Sequence, residues 1–172
     1  MASVILGLII ELVKQPIKVN RKRHMQLSSF NRVSSFKSAG KLITGHGAAQ
    51  QLQLYVQSLG MQRPLIVTDS GVVASGTLDM ITEQLTALKV SYEVFDQVTP
   101  EPEVEIVEMC TRAFNAGKHD SVIAVGGGSA MDIAKCVAVY AHYEGPLEAL
   151  FGENKVDQRT IPLVAMPTTA GT

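Results

Sequence analysis

Three short stretches hold residues whose types and spacing could do chemistry. The first is Gly126-Gly127-Gly128-Ser129, directly after the apolar run at residues 121–125. Glycines let a backbone turn sharply and let a ligand approach closely. If a helix follows, its free N–H groups and the positive end of its dipole face back on the loop. That makes an anion site suited to a pyrophosphate, with the Ser129 hydroxyl as a further donor. The same residues also read as a plain strand-to-helix turn, with Ser129 as cap and Asp132 closing a capping box. The second stretch ends in Asp69, after the run at residues 65–68. A carboxylate there can accept from a ribose 2′-hydroxyl and would repel a 2′-phosphate, which favours NAD over NADP. Asp69-Ser70-Gly71 also reads as an ordinary turn. The third is Pro167-Thr168-Thr169-Ala170-Gly171-Thr172. Its hydroxyls and glycine suit a loop that clasps a sugar or phosphate, and equally a solvated turn.

Other candidates carry less. Gly45-His46-Gly47-Ala48-Ala49-Gln50 half matches a dinucleotide fingerprint, but Gln50 stands where the third glycine belongs, so it reads as the start of a helix. His24, His46, His119 and His142 have no paired metal spacing and read as surface or turn residues. Six acids and no base lie from Glu93 to Glu108, a pattern expected of a solvated edge.

Positioning these stretches requires elements that end where they begin. Apolar runs at residues 64–68, 90–95, 121–125 and 161–166 have strand length, and one or two short strands are expected within 33–44. Between them, Ala48, Leu52, Tyr55, Val56 and Leu59 recur at helical spacing. So do Leu78, Ile81, Leu85 and Leu88, with Thr77 as the expected cap. Ile106, Val107, Cys110, Ala113 and Phe114 mark a helix in which Pro102 suits the first position, and Ile133, Cys136, Val137 and Tyr140 mark the last. Alternating strands and helices imply parallel βαβ units, and strands apolar on both sides imply a sheet covered on both faces. The expected fold class is therefore α/β, a Rossmann-like parallel sheet with helices on both faces. In such sheets ligands bind beyond the carboxyl ends of the strands, where all three stretches fall.

The chain of 172 residues is 46% hydrophobic with a net charge of −1, which excludes a disordered chain and gives no electrostatic footprint for nucleic acid. Two cysteines, Cys110 and Cys136, both in helical patterns, argue against a disulfide scaffold and fit a reducing, cytoplasmic setting. The apolar run at residues 4–10 is too short to span a membrane, and its positive charges, Lys14, Lys18, Arg21, Lys22 and Arg23, follow it where a signal peptide would place them before. Residues 1–30 are read as an N-terminal extension and 31–172 as the α/β domain.

Gly126 to Lys135 resembles the glycine-rich signature of the iron-containing alcohol dehydrogenases. Residues 167–172 resemble that family's second signature, and Val67-Thr68-Asp69 its first cofactor-reading strand end. The resemblance spans roughly residues 36–172 and implies an NAD-dependent oxidoreductase that moves hydride between a small alcohol or aldehyde and the nicotinamide. It implies that Asp69 holds the adenosine ribose and that Gly127, Gly128 and Ser129 hold the pyrophosphate. Asp132 would lie toward the nicotinamide, and Thr168, Thr169 and Thr172 would line the cofactor site. Glu101 stands where Asn is frequent. The family's iron or zinc ligands, an Asp and three His in a later helical domain, have no counterpart in this sequence. The chain therefore resembles a truncated member, expected to be inactive alone and a homodimer in full-length form. A non-catalytic nucleotide-binding module and a glycerol dehydrogenase-like enzyme remain alternatives.

Overall fold

Burial on both faces is what makes the central strands. Pro64–Val67 (β3), Ser121–Gly126 (β5) and four of the five residues of Leu163–Pro167 (β6) are buried, so successive side chains must find apolar cover on opposite sides. On one side Leu65, Val67, Val122, Ala124, Leu163 and Ala165 pack against Val104–Ala116 (α4) and Gly128–Tyr140 (α5). On the other, Ile66, Ile123, Val125, Val164 and Met166 pack against a 3-10 turn at Ala48–Gln51, Leu52–Ser58 (α1) and Asp79–Ala87 (α3). A five-residue helix, Ser70–Ala74 (α2), follows β3 and adds Val72 to the same layer.

The computed structural model describes residues 8–11, 40–150, 156 and 161–169. With Leu8–Glu11 as β1, Lys41–Ile43 as β2 and Glu93–Phe95 as β4, the sheet order is β2-β1-β6-β5-β3-β4. The strands β6, β5, β3 and β4 are parallel, in register Leu65 to Val122 and Val122 to Leu163. The expected parallel sheet with helices on both faces is therefore present. At one edge it is extended by β1 and β2, which pair antiparallel with their neighbours. Leu8–Glu11 falls within the segment read from sequence as an extension, and it lies between β2 and β6.

Local expectations need correcting at two helix starts. Thr77 does not cap α3: Leu78 does, and the Thr77 hydroxyl instead lies 2.6 Å from that of Ser75. Pro102 is not the first residue of α4, because Glu103 is its N-cap and Val104 its first residue. Both helices begin later than the turn chemistry suggested, at the point where an apolar face can reach the sheet. The fragment Gly45-His46-Gly47 does open a helical turn, with Gly47 at φ +80.

The helix α4 buries Val107, Cys110, Thr111 and Phe114 along one stripe. Burial pushes the Cys110 thiol up from its ordinary 9.0 to about 12. Thiolate is the reactive form, so Cys110 packs as a small apolar residue. A thiol whose folded pKa is raised makes the fold less stable as pH climbs through the unfolded value toward the folded one. Cys110 should resist iodoacetamide at pH 8 until the chain is unfolded, and Cys110→Ala should remove a loss of stability seen between pH 9 and pH 11. Mass spectrometry of the alkylated protein and thermal melts across that range check both outcomes.

Candidate functional site

Because β3, β5 and β6 are adjacent and parallel, their carboxyl ends lie side by side, and each runs directly into one of the three stretches. Gly126 is the last residue of β5 and Gly127 the N-cap of α5. The backbone N–H of Thr168 donates to the Gly126 carbonyl at 2.8 Å, which ties the end of β6 to the glycines. On the other side, a Cβ built on Gly126 would lie 3.2 Å from Oδ2 of Asp69. Asp69, Gly126 to Ser129 and Thr168 to Thr169 thus form one continuous lip.

The geometry within the lip separates the glycines by task. Gly126 has φ +147, a conformation that side chains rarely adopt, and its Cβ would also come to 3.0 Å from that of Ala130. Gly126 therefore makes the turn. Gly127 sits at φ −79 and ψ −170, extended backbone open to any residue, so it is not needed for the sharp turn. What Gly127 and Gly128 provide is room. A Cβ at 127 would meet only Thr169, at 3.8 Å, and one at 128 would meet nothing within 4 Å. The sequence reading took the three glycines together, and the family resemblance gave the pyrophosphate to Gly127 and Gly128, without saying that Gly126 alone makes the turn. The signal available was its place as the last residue of a buried strand, where the chain must reverse.

No side chain caps α5. The expected alternative, a box closed by Asp132, does not form: Ser129 is the second residue of the helix, and Oδ1 of exposed Asp132 pairs with Nζ of Lys135 at 3.2 Å. The first N–H groups of the helix thus face the lip without a side-chain acceptor, at its positive end. Asp69 does two things at once. Its Oδ1 accepts from the Val72 N–H at 3.0 Å and caps α2, the ordinary turn read from sequence, while Oδ2 lies beside Gly126. Thr168 is half-buried and Thr169 exposed, and Thr172 lies outside the described residues. Asp132 is exposed, four residues on from Gly128 and so on the same side of α5. Glu101 is exposed in the loop after β4 at φ +49, a left-handed conformation that Asn tolerates better than Glu. Among the described residues no three His, Cys, Asp or Glu converge as metal ligands.

This lip can hold a dianionic, extended ligand: an uncapped helix start for phosphate, a carboxylate for paired hydroxyls and hydroxyls from a third strand. The sequence profile of the iron-containing alcohol dehydrogenases matches residues 39–172. Choline dehydrogenase of Bacillus subtilis strain 168 is 33% identical over 152 residues, 87% of this chain and 38% of that protein. Among solved structures, a 1,3-propanediol oxidoreductase superposes with a TM-score of 0.71 at 32% identity, covering 74% of this chain and 34% of that one. A sulfoacetaldehyde reductase from Bifidobacterium kashiwanohense in complex with NAD+ has a TM-score of 0.64 at 30% identity, covering 74% and 34%. The chain spans about a third of the length of the relatives it matches.

Gly126→Ala should lower the unfolding free energy by about 1 to 3 kcal/mol, since it imposes both a left-handed alanine and a crowded Ala130. Gly128→Ala should cost no more than about 1 kcal/mol, because its Cβ meets open space. Urea unfolding of the two variants side by side checks the contrast.

Proposed function

The chain belongs to the iron-containing alcohol dehydrogenase family, and on that premise we propose that the lip binds NAD and that the protein serves hydride exchange between a small alcohol or aldehyde and the nicotinamide. The observation that carries this reading is the start of α5, which is uncapped by any side chain and flanked by two glycines that leave open space. A pyrophosphate there would accept from the first helical N–H groups and from the Ser129 hydroxyl. Asp69 would accept from the adenosine ribose hydroxyls through Oδ2, its Oδ1 being engaged by Val72. Thr168 and Thr169 would face the same ligand from β6, with Thr172 beyond them. Asp132 has the weakest claim, since it is exposed and paired with Lys135. NAD supplies the hydride acceptor when bound; this chain's residues bind and orient it.

The described residues do not fit iron or zinc, since no three metal-ligating side chains converge among them. The substrate class rests on relatives, which include a lactaldehyde reductase of Escherichia coli strain K12. A homodimer belongs to the same proposal, supported by the open edge of β4, where Val94 is exposed. So does a cytoplasmic setting, supported by sparse cysteine; no helix among the described residues is long and apolar enough to cross a membrane.

Asp69→Gly should bring NAD and NADP affinities toward equality while changing stability by only a few tenths of a kcal/mol, because glycine replaces a capping Asp at small cost. Gly127→Val should weaken NAD binding roughly tenfold or more with little change in melting temperature, since φ −79 admits valine. Titration calorimetry with both cofactors, set beside thermal melts, tests the reading. An unmutated chain that binds NADP as well as NAD, or a Gly127→Val chain with full NAD affinity, would overturn it.

A further inference from the structure

At the amino ends of the strands, opposite the lip, the His119 side chain is closed to solvent. Its Nδ1 lies 3.0 Å from the Arg63 carbonyl, and its Nε2 lies 3.5 Å from Oε2 of Glu93, the first residue of β4. A carbonyl and a carboxylate are acceptors only. A neutral imidazole has one N–H and one lone pair, so either tautomer sets a lone pair against an oxygen. The imidazolium, with an N–H on each nitrogen, suits both sides. At 3.5 Å the contact to Glu93 is long for a hydrogen bond, and Nε2 has no hydrogen-bond partner among the described residues. What acts across that gap is charge, and the ring carries charge only when protonated.

The end of α4 is shaped around this ring. The His119 N–H donates to the Phe114 carbonyl at 3.0 Å and the Lys118 N–H to the Asn115 carbonyl at 3.1 Å, the two bonds of a Schellman turn. Such a turn ordinarily puts its glycine at the left-handed residue. Here that residue is Lys118, at φ +51, and the glycine stands one place earlier, at Gly117 with φ −75. The ring accounts for the displacement: a Cβ on Gly117 would collide with Nε2 and come to 2.7 Å from Cδ2 of His119. The Phe114 ring covers another side, with centroids 5.8 Å apart. The other ionisable groups nearby are engaged or turned away. The Arg63 guanidinium takes Oε1 of Glu93 at 2.8 Å and leaves Oε2 to the ring. Asp120 spends its oxygens on the Gln62 and Arg63 N–H groups and the Ser121 hydroxyl. Lys118 is exposed, and His142 lies beyond Phe114, its ring centroid 6.5 Å from that of Phe114.

The strand β4 is an element that such a contact can control. It is three residues long and stands at the edge of the sheet, with β3 its one ladder partner among the described residues. We propose that His119 is a proton-operated clasp on β4: protonated, its ring ties Glu93 to the Arg63 carbonyl, and deprotonated, it releases Glu93 and lets the edge strand open. A proton needs no cavity to arrive, because it can pass through the half-exposed Glu93 carboxylate. The folded chain gives the charged ring two acceptors that the unfolded chain does not hold in place. The contribution of the clasp is therefore fully present below the value of an unfolded histidine, about 6.5, and is lost as the pH rises past it. Glu93 stays ionised through that range, since the hydrogen bond from Arg63, foremost among the causes, holds its carboxyl below the usual carboxylate range.

The experiment is nuclear magnetic resonance of the 15N-labelled chain without cofactor, so that it stands apart from the NAD reading. Ring nitrogen shifts at about pH 5.5 should show hydrogen on both nitrogens of His119, and raising the pH to about 8 should remove one. Over the same interval the hydrogen-exchange protection of the amides of residues 93–95, corrected for the intrinsic pH dependence of exchange, should fall roughly threefold, the range of a half-exposed ion pair. That fall should vanish in Glu93→Gln, which keeps the shape and removes the charge, and in His119→Gln. The Arg63 pair is also lost in Glu93→Gln, but equally at both pH values, so it lowers protection without restoring a pH dependence. His142→Gln should keep the fall. Gly117→Ala, which helix propensity alone would favour, should abolish it by displacing the ring. A His119 ring with a single hydrogen throughout, equal protection at both pH values in the unmutated chain, or a fall that persists in either Glu93→Gln or His119→Gln would each overturn the proposal.

Discussion

The backbone of Gly126 is the constraint on which the rest of the site depends. At φ +147 it lets a fully buried strand turn into α5 within one residue, close enough that its missing Cβ would touch both Ala130 and Asp69. The Thr168 N–H then closes on the Gly126 carbonyl. Three segments far apart in sequence meet at this peptide because three parallel strands end together, and no side-chain contact between them is needed. A branched residue at 126 would separate Asp69 from the helix start and so divide one binding lip into two unrelated turns.

Much of this was legible in the sequence, because the signals were redundant. The strands at 64–67, 121–126 and 163–167 are apolar on both faces and bounded by turn residues, so length and composition agree. The long helices α4 and α5 carry stripes of period 3.6. Where only one signal was available, reading failed. Thr77 and Pro102 are good local punctuation, but α3 and α4 start where Ile81 and Val107 can be buried, and tertiary packing decides. The helix α2 is five residues long and exists because the Asp69 carboxylate holds the Val72 N–H; no periodicity of that length is detectable. The strand β1 offers an apolar run with no second cue, since its partners β2 and β6 lie far along the chain.

The site was legible in its residue types and less so in their tasks. Spacing placed a glycine run after a strand. It could not say which glycine bends and which two stand aside, because that depends on where Ala130, Asp69 and Thr169 come to lie. Reading Asp69 as either a turn residue or a ribose acceptor set two alternatives against each other, whereas a carboxylate has two oxygens. One is spent on α2 and the other is turned toward the lip. Asp132 is legible in the same partial way: its place in the motif is fixed, and the structure adds that it is exposed one turn into α5 and paired with Lys135.

An open lip leaves helix N–H groups unsatisfied, and the opposite, amino ends of the strands explain how the fold tolerates this. There the strand starts are fastened by one carboxylate. Asp120 accepts from the Gln62 and Arg63 N–H groups at 2.8 and 3.1 Å and from the Ser121 hydroxyl at 2.6 Å, which locks the start of β5 to that of β3. The His119 ring, expected at the surface or in a turn, is buried and sets Nδ1 3.0 Å from the Arg63 carbonyl, and the Arg63 guanidinium reaches Glu93 at 2.8 Å, drawing in the start of β4. The hydrogen bond from Arg63, more than any other cause, holds the Glu93 carboxyl below the usual carboxylate range. Hydrogen bonds to a charged group are stronger than neutral ones, and here they converge where no ligand is needed. The parallel strands are thus registered from their amino ends. Their carboxyl ends, relieved of that task, can finish in glycine and threonine and leave donors turned toward a ligand.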